Sequence, residues 1–228
     1  MHFYRIGNDY LPSVTTIIHA VIPESEQIAV WKERNGNGNW QKMLASAQAL
    51  GTVIHYRILN QLATRNLELP MITLEHLVDD AHVRAEIAEH MFCDLKLNIG
   101  YPRRVEEFVV CHEHKYAGTP DLVAPIDGVH TLVDLKTSKN IYESHKLQLG
   151  GYYEALGRNP DQGMLVSINP DERTNPSLKA FCVLLTKDEL EQKADEFLKL
   201  VEKFYEYGYD KTLIKDEYKI EGNAPTTF

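Results

Sequence analysis

Cysteine is scarce in this chain: Cys93, Cys111 and Cys182 are the three in 228 residues, and no two form a C-x-x-C pair. That speaks against a disulfide framework and a zinc ribbon, and a reduced, intracellular, cytoplasmic setting is the expectation. No run of about 18 apolar residues exists, so no membrane-spanning helix is expected. The opening Met1-His2-Phe3-Tyr4-Arg5 lacks the basic flank and apolar stretch of a secretory signal. Internal repeats and linker-like segments are missing too. Basic residues are outnumbered, with 24 Lys and Arg against 33 Asp and Glu, a net charge of −9. That balance disfavours a protein that coats nucleic acid without sequence preference. It leaves room for a carboxylate-rich metal site, whose negative charge bound cations offset locally. Arg57, Arg65, Arg103 and Arg104 are left to line one basic groove.

What is present suits a globular chain: 43% apolar and 25% charged residues, enough length for a sizeable core, and one domain or one domain with an appended helical part. The first part reads as helical. Ser13 caps a helix from residue 14 that Pro23 ends, a second spans 24–34, and Asn35-Gly36-Asn37-Gly38-Asn39 breaks it. Apolar residues at near-helical spacing predict long helices over 40–63 and 74–97. The middle turns to short β-branched runs, which predict strands at 105–111, 122–126 and 131–135. A helix over 142–156, strands at 164–168 and 178–185, and a helix from the capping box Thr186-x-x-Glu189 to about 207 complete the pattern. After Gly208 a loop or short edge element is expected. Helices around a small mixed sheet make an α/β fold.

Asp127-Gly128 between two strand-like runs is a type I′ hairpin signal. If those two residues form the loop, Ile126 faces Val129, and counting back sets Asp121 opposite Asp134. Cβ atoms of opposite residues lie about 4.5–5.5 Å apart on one sheet face. Lys136, two residues on, shares that face. The neighbours Leu122, Val123, Leu132, Val133 and Leu135 are apolar, so the pair is buried. Two buried like charges are costly unless compensated, and a divalent cation compensates them. Hard oxygen ligands suit Mg²⁺ or Mn²⁺, and Lys136 would orient or help deprotonate a water, or stabilise charge on a phosphate. An isolated Asp-x-Lys is more often a surface ion pair, so the surroundings must decide. Pro125 points to a strand edge or an irregular loop.

Those surroundings carry a resemblance. Gly118-Thr119-Pro120-Asp121, Asp134-Leu135-Lys136-Thr137 and Gln148-Leu149-Gly150-Gly151-Tyr152, with Gly51-Thr52-Val53-Ile54-His55 upstream, resemble the RecB-like exonuclease branch of the PD-(D/E)XK nuclease superfamily. Leu11-Pro12-Ser13-Val14-Thr15, Trp31-Lys32 and the stretch from 106 to 121 are similar to the mitochondrial genome-maintenance exonuclease family. The resemblance covers roughly residues 11–156. It implies a restriction-endonuclease-like core over 101–228, with a mainly helical part over 1–100 that contributes His55. It implies metal ligation by Asp121, Asp134, the Leu135 carbonyl and His55, with Lys136 as the catalytic lysine. The first acidic residue would be Glu106 by spacing, although alternation alone does not separate it from Glu107. Gln148 and Tyr152 would touch DNA. An iron–sulfur cluster, which some relatives carry on four cysteines, is not expected here.

The helix around Gln148 agrees, since His145, Gln148 and Tyr152 form one polar stripe and Leu149, Tyr153 and Leu156 an apolar one. Gly150-Gly151 in mid-helix costs about 1 kcal/mol per residue relative to Ala, which close approach of another backbone would justify. His112, Glu113 and His114 read as a solvated hairpin turn, and Trp31 and Trp40 as core residues more readily than base-stacking platforms. The expected activity is metal-dependent hydrolysis of DNA by an exonuclease that prefers single-stranded ends. The alternatives are a structure-selective endonuclease and a catalytically silent DNA-binding module on the same fold. A glycosidase fits poorly, because Lys136 stands beside the carboxylates and no aromatic cluster accompanies them. The setting, whether DNA repair, recombination or replication, stays open.

Overall fold

The computed structural model describes residues 2–36, 38–68, 77, 79–101, 103–170, 180–207 and 219–221. A five-stranded mixed sheet organises it. Its strands are β3 (Arg104–Val105), β6 (Leu122–Ile126), β7 (Val129–Lys136), β8 (Gln162–Ser167) and β9 (Phe181–Leu185), in the order β3-β6-β7-β8-β9. Only β7 and β8 run parallel among these pairs. Parallel neighbours need a crossover, and α5 (Glu143–Ala155) lies in it. Strands with apolar residues on both sides demand cover on both faces. Val123, Leu132 and Leu165 face one core with α5, α1 (Val14–Val21) and α6 (Lys187–Glu206). Leu122, Val133, Leu135 and Val166 face the other, against α3 (Asn39–Leu62) and α4 (Ala81–Asp94). The α/β sandwich expected from the sequence is therefore present. Among the described residues no helix is long and apolar enough to cross a membrane.

Helix ends follow side-chain chemistry. Ser13 Oγ accepts the Thr16 N–H at 3.0 Å, and α1 stops before Pro23. Thr186 and Glu189 exchange the reciprocal bonds of a capping box (2.7 and 3.3 Å). α2 (Glu26–Asn35) buries none of its described side chains and leaves Ile28, Val30 and Trp31 exposed. Exposure of Trp31 corrects the expectation of a core tryptophan. Trp40 is half-buried beneath Lys32, whose ammonium lies 4.5 Å from the ring centre.

Three expectations change. Residues 105–111 are not one strand. They divide into β3 and β4 (Val109–Cys111), because Glu106 takes a left-handed φ of 46° and the chain bends there. β4 then pairs with β5 (Tyr116–Gly118) across the turn at 112–115, which is the hairpin turn expected around His112 and His114. The first residues are not helical: β1 (Phe3–Ile6) and β2 (Asp9–Pro12) form a hairpin, and β10 (Lys219–Glu221) adds to β1 in parallel. The helix expected over 74–97 is α4, starting at Ala81. Residues 69–76 and 78 lie outside the described ones, as do 178 and 179 of the expected strand 178–185. Pro125 stands inside β6, beyond the end of two-residue β3, and its carbonyl accepts the Gly100 N–H at 2.8 Å.

The glycine pair in α5 has the reason the sequence suggested. A Cβ on Gly150 would lie 2.4 Å from the Lys193 carbonyl carbon, so α5 and α6 touch backbone to backbone. A Cβ on Gly51 of α3 would meet only the Thr137 side chain, at 3.1 Å. Gly150→Ala should therefore destabilise the fold by about 2–3 kcal/mol through overpacking. Gly51→Ala should cost less, because helix propensity offsets part of a side-chain adjustment. Urea unfolding of both variants checks this, and equal midpoints would contradict the backbone contact.

Candidate active site

The site begins at the β6–β7 turn. Asp127 and Gly128 both have positive φ, 51° and 84°, as a type I′ turn requires. Ile126 pairs with Val129 and Leu122 with Val133, the register expected from the sequence. One step further, Asp121 comes opposite Asp134. Here β6 has ended, and the Asp121 side chain takes over the ladder: its Oδ2 accepts the Leu135 N–H at 2.6 Å. Both carboxylates are removed from solvent, with Asp121 8% and Asp134 2% exposed.

Lys136, Gln148, Tyr152 and His55 close around them. Lys136 Nζ lies 2.6 Å from Asp134 Oδ2 and donates to Gln148 Oε1 at 2.9 Å. Gln148 Nε2 donates to Asp134 Oδ1 (3.3 Å) and to the Tyr152 hydroxyl (3.1 Å). The ammonium is close to Asp134 Oδ2 as an ion pair but off hydrogen-bond geometry, so that oxygen is buried with no hydrogen bond. His55 Nδ1, on α3, lies 3.3 Å from Asp121 Oδ1. The polar stripe of α5 can reach this depth because Gly118 has no side chain: a Cβ there would stand 2.6 Å from Tyr152 Cε1.

Glu106 and Glu107 separate as alternation could not make them. Glu106, at the break between β3 and β4, donates its N–H to the Asp121 carbonyl at 3.0 Å, and its side chain lines the cleft with His55 and Lys136. Glu107 turns to Arg104 in an ion pair. The cleft, about 1080 Å³, runs between α3 and the C-terminal end of β7, with Thr52, Tyr56, Thr137 and His145 on its walls. His145 belongs to the stripe visible in the sequence and Thr137 to the Asp134-Leu135-Lys136-Thr137 motif, whereas Glu68 carried no signal. The basic groove does not form as expected. Arg57 is paired with Glu89 and Arg104 with Glu107, while Arg103 donates to the Ile99 and Gly100 carbonyls. Arg65 donates to the Glu106 carbonyl at 3.3 Å. His112, Glu113 and His114 border a separate hollow that holds none of the cluster.

Burial and charge act against each other here. Burial penalises an ionised Asp134 more than Lys136 relieves it, and with Asp121 beside it the Asp134 pKa rises to about 6. Burial also opposes ionisation of Asp121, but His55, Lys136 and the Leu135 N–H outweigh it and hold its pKa below the usual value. Burial disfavours the His55 imidazolium, yet the Asp121 carboxylate prevails and raises its pKa. Glu106 is shifted up by burial and by Asp121. Burial, with Lys136 nearby, lowers His145 to about 4.

In the metal-free protein, carboxyl ¹³C NMR should therefore find Asp134 titrating near 6 and Asp121 below the ordinary aspartate range. The raised pKa makes Asp134 favour the folded state below its unfolded value, an advantage lost as pH climbs to about 6. Asp121 acts in the opposite sense, adding stability above its unfolded value that is lost as pH falls through its depressed one. Asp134 titrating lower than Asp121 would contradict the assignment.

No family model matches the chain, and no curated protein matches it. Solved structures with partial likeness include an alkaline exonuclease from Laribacter hongkongensis. It has 12% identity and a TM-score of 0.37 over 86% of this chain and 89% of that one. The same exonuclease in complex with dAMP has 15% identity and a TM-score of 0.35 over 71% and 93% of the two chains.

Proposed function

We propose that this chain is a metal-dependent deoxyribonuclease that hydrolyses phosphodiester bonds in the cleft above Asp121, Asp134 and Lys136. The observation that carries the reading is the cluster itself. Two adjacent buried carboxylates, a lysine and a glutamine bonded to both Asp134 and Lys136 lie under a cleft of about 1080 Å³. A fold gains little stability from burying like charges side by side, so such a cluster points to chemistry. The sequence motifs that resemble the PD-(D/E)XK nucleases fall on these same residues, on the hairpin, α3 and α5.

The donor set fits a hard divalent cation. Asp134 Oδ2 is buried with the Lys136 ammonium 2.6 Å away, and Asp121, just before β6, stands beside it. Among the described residues no three His, Cys, Asp or Glu side chains stand in an arrangement that could hold a metal ion as they are. His55 and Lys136 presently engage the carboxylates that would turn to the cation. Asp121, Asp134, the Leu135 carbonyl and His55 would hold Mg²⁺ or Mn²⁺, with Glu106 at the edge. The cation would supply charge neutralisation at the phosphate and acidify a water. Lys136, kept in place by Gln148, orients the attacking water or donates to a phosphate oxygen. The water oxygen bonds to phosphorus and gives up a proton to solvent, the ester P–O bond breaks, and the leaving oxygen takes up a proton from solvent. Tyr152 and Gln148 would fix the distance between α5 and the strand.

The finer reading is an exonuclease that prefers single-stranded ends. Helix α3 brings His55 to the hairpin, and α2 and the first turns of α3 expose Trp31, Met43 and Leu44. Unpaired bases can stack or pack on such apolar side chains, whereas a duplex hides its bases.

With Mg²⁺ or Mn²⁺, linear single-stranded DNA should be degraded and excess EDTA should stop it. Asp134→Ala and Lys136→Ala should each lower the rate by about a hundred- to a thousandfold. Calorimetry should show metal binding lost in the first and kept in the second. Cleavage in EDTA would end the metal reading. Equal loss of a covalently closed circle of the same sequence would replace the exonuclease with an endonuclease.

A further inference from the structure

His145 sits in the first turn of α5, on the stripe of Gln148, and lines the cleft together with Lys136. Its Nδ1 accepts a hydrogen bond from the Tyr142 backbone N–H at 3.2 Å. A ring nitrogen that accepts carries no proton, so the imidazole is neutral and its proton is on Nε2. The Tyr142 ring stands nearly perpendicular to the imidazole, with centres 5.3 Å apart, and helps fix its plane. Among the described residues Nε2 makes no hydrogen bond. With its lone pair on Nδ1 engaged, this histidine cannot act as a base, but it can donate. A fixed neutral donor and an ammonium lining the same cleft recognise an anionic oxygen, and the phosphates of a nucleic-acid strand present a row of them.

We infer that His145 is a phosphate-contacting residue whose Nε2–H donates to a non-bridging oxygen of the bound strand beside Lys136, and so sets the strand's path through the cleft. The identity of the ligand rests on the nuclease reading above. The contact lies outside the carboxylate cluster, on the helix turn before Gln148. It orients the strand without entering the hydrolytic step.

The test is binding of a short fluorescein-labelled single-stranded dT oligonucleotide in EDTA, read by anisotropy, with thermal unfolding run alongside. His145→Ala should raise Kd about tenfold, the loss expected for a hydrogen bond to a charged acceptor. Gln at this position can accept the Tyr142 N–H and still offer an amide donor, so His145→Gln should stay within about threefold of the parent. Glu caps the helix equally well but has no donor and repels phosphate. His145→Glu should therefore melt like the Gln variant and bind more weakly than the Ala variant. An unchanged Kd in His145→Ala, or equal Kd values for the Gln and Glu variants, overturns the contact in favour of a capping role alone. If the parent chain binds the oligonucleotide but never cleaves it with Mg²⁺, the nuclease reading falls while the His145 comparison still stands. If the parent does not bind at all, both fall.

Discussion

The Asp121 carboxylate replaces a strand. β6 stops at Leu122, and the next N–H on β7, that of Leu135, would be left buried without a partner. Asp121 Oδ2 accepts it at 2.6 Å. Buried backbone donors are almost always paired, so this one bond ties an ionisable group into the sheet at the point where the sheet opens. Everything else around the cleft answers that placement. A buried carboxylate needs compensation, and His55 reaches in from α3 to provide it. Asp134, forced alongside by the hairpin register, draws Lys136 and Gln148 in from the other side.

The site thus joins two layers that pack on opposite faces of the sheet. His55 belongs to the helix lying on Leu122, Val133 and Leu135, and Gln148 to the helix lying on Val123 and Leu132. They converge on the two aspartates, His55 on Asp121 just before β6 and Gln148 on Asp134 near the end of β7. Glycine makes the meeting possible. Gly118 admits the Tyr152 ring, and Gly150 brings α5 against the α6 backbone, which sets how far Gln148 stands from Asp134. Rigid packing of this kind can hold polar groups in a geometry they would not choose in water. The same packing leaves the Lys136 ammonium, 2.6 Å away, as the charge partner of Asp134 Oδ2.

Much of this was legible locally. The Asp127-Gly128 turn determined a register, because a two-residue loop with both φ positive admits one pairing, and from it came the juxtaposition of Asp121, Asp134 and Lys136. The caps at Ser13 and Thr186 and the glycine pair of α5 were readable for the same reason, since each concerns neighbours within a turn. The hairpin of β1 and β2 was not, because its place depends on β10, more than two hundred residues away. The bend at Glu106 was hidden as well. A run of β-branched residues looks the same whether it feeds one sheet or two.

What the sequence determined by itself is therefore the chemistry and its spacing along the chain: the α/β class, the hairpin, two carboxylates and a lysine on one face. Tertiary structure alone decided which glutamate faces the cleft, that Arg57 and Arg104 are neutralised by Glu89 and Glu107, and that Trp31 lies outside the core. Spacing is a property of covalent geometry and hydrogen-bonded turns, so it survives in one dimension. Pairing of charges and exposure of side chains depend on which distant elements arrive, and that is settled only when both faces of the sheet are covered.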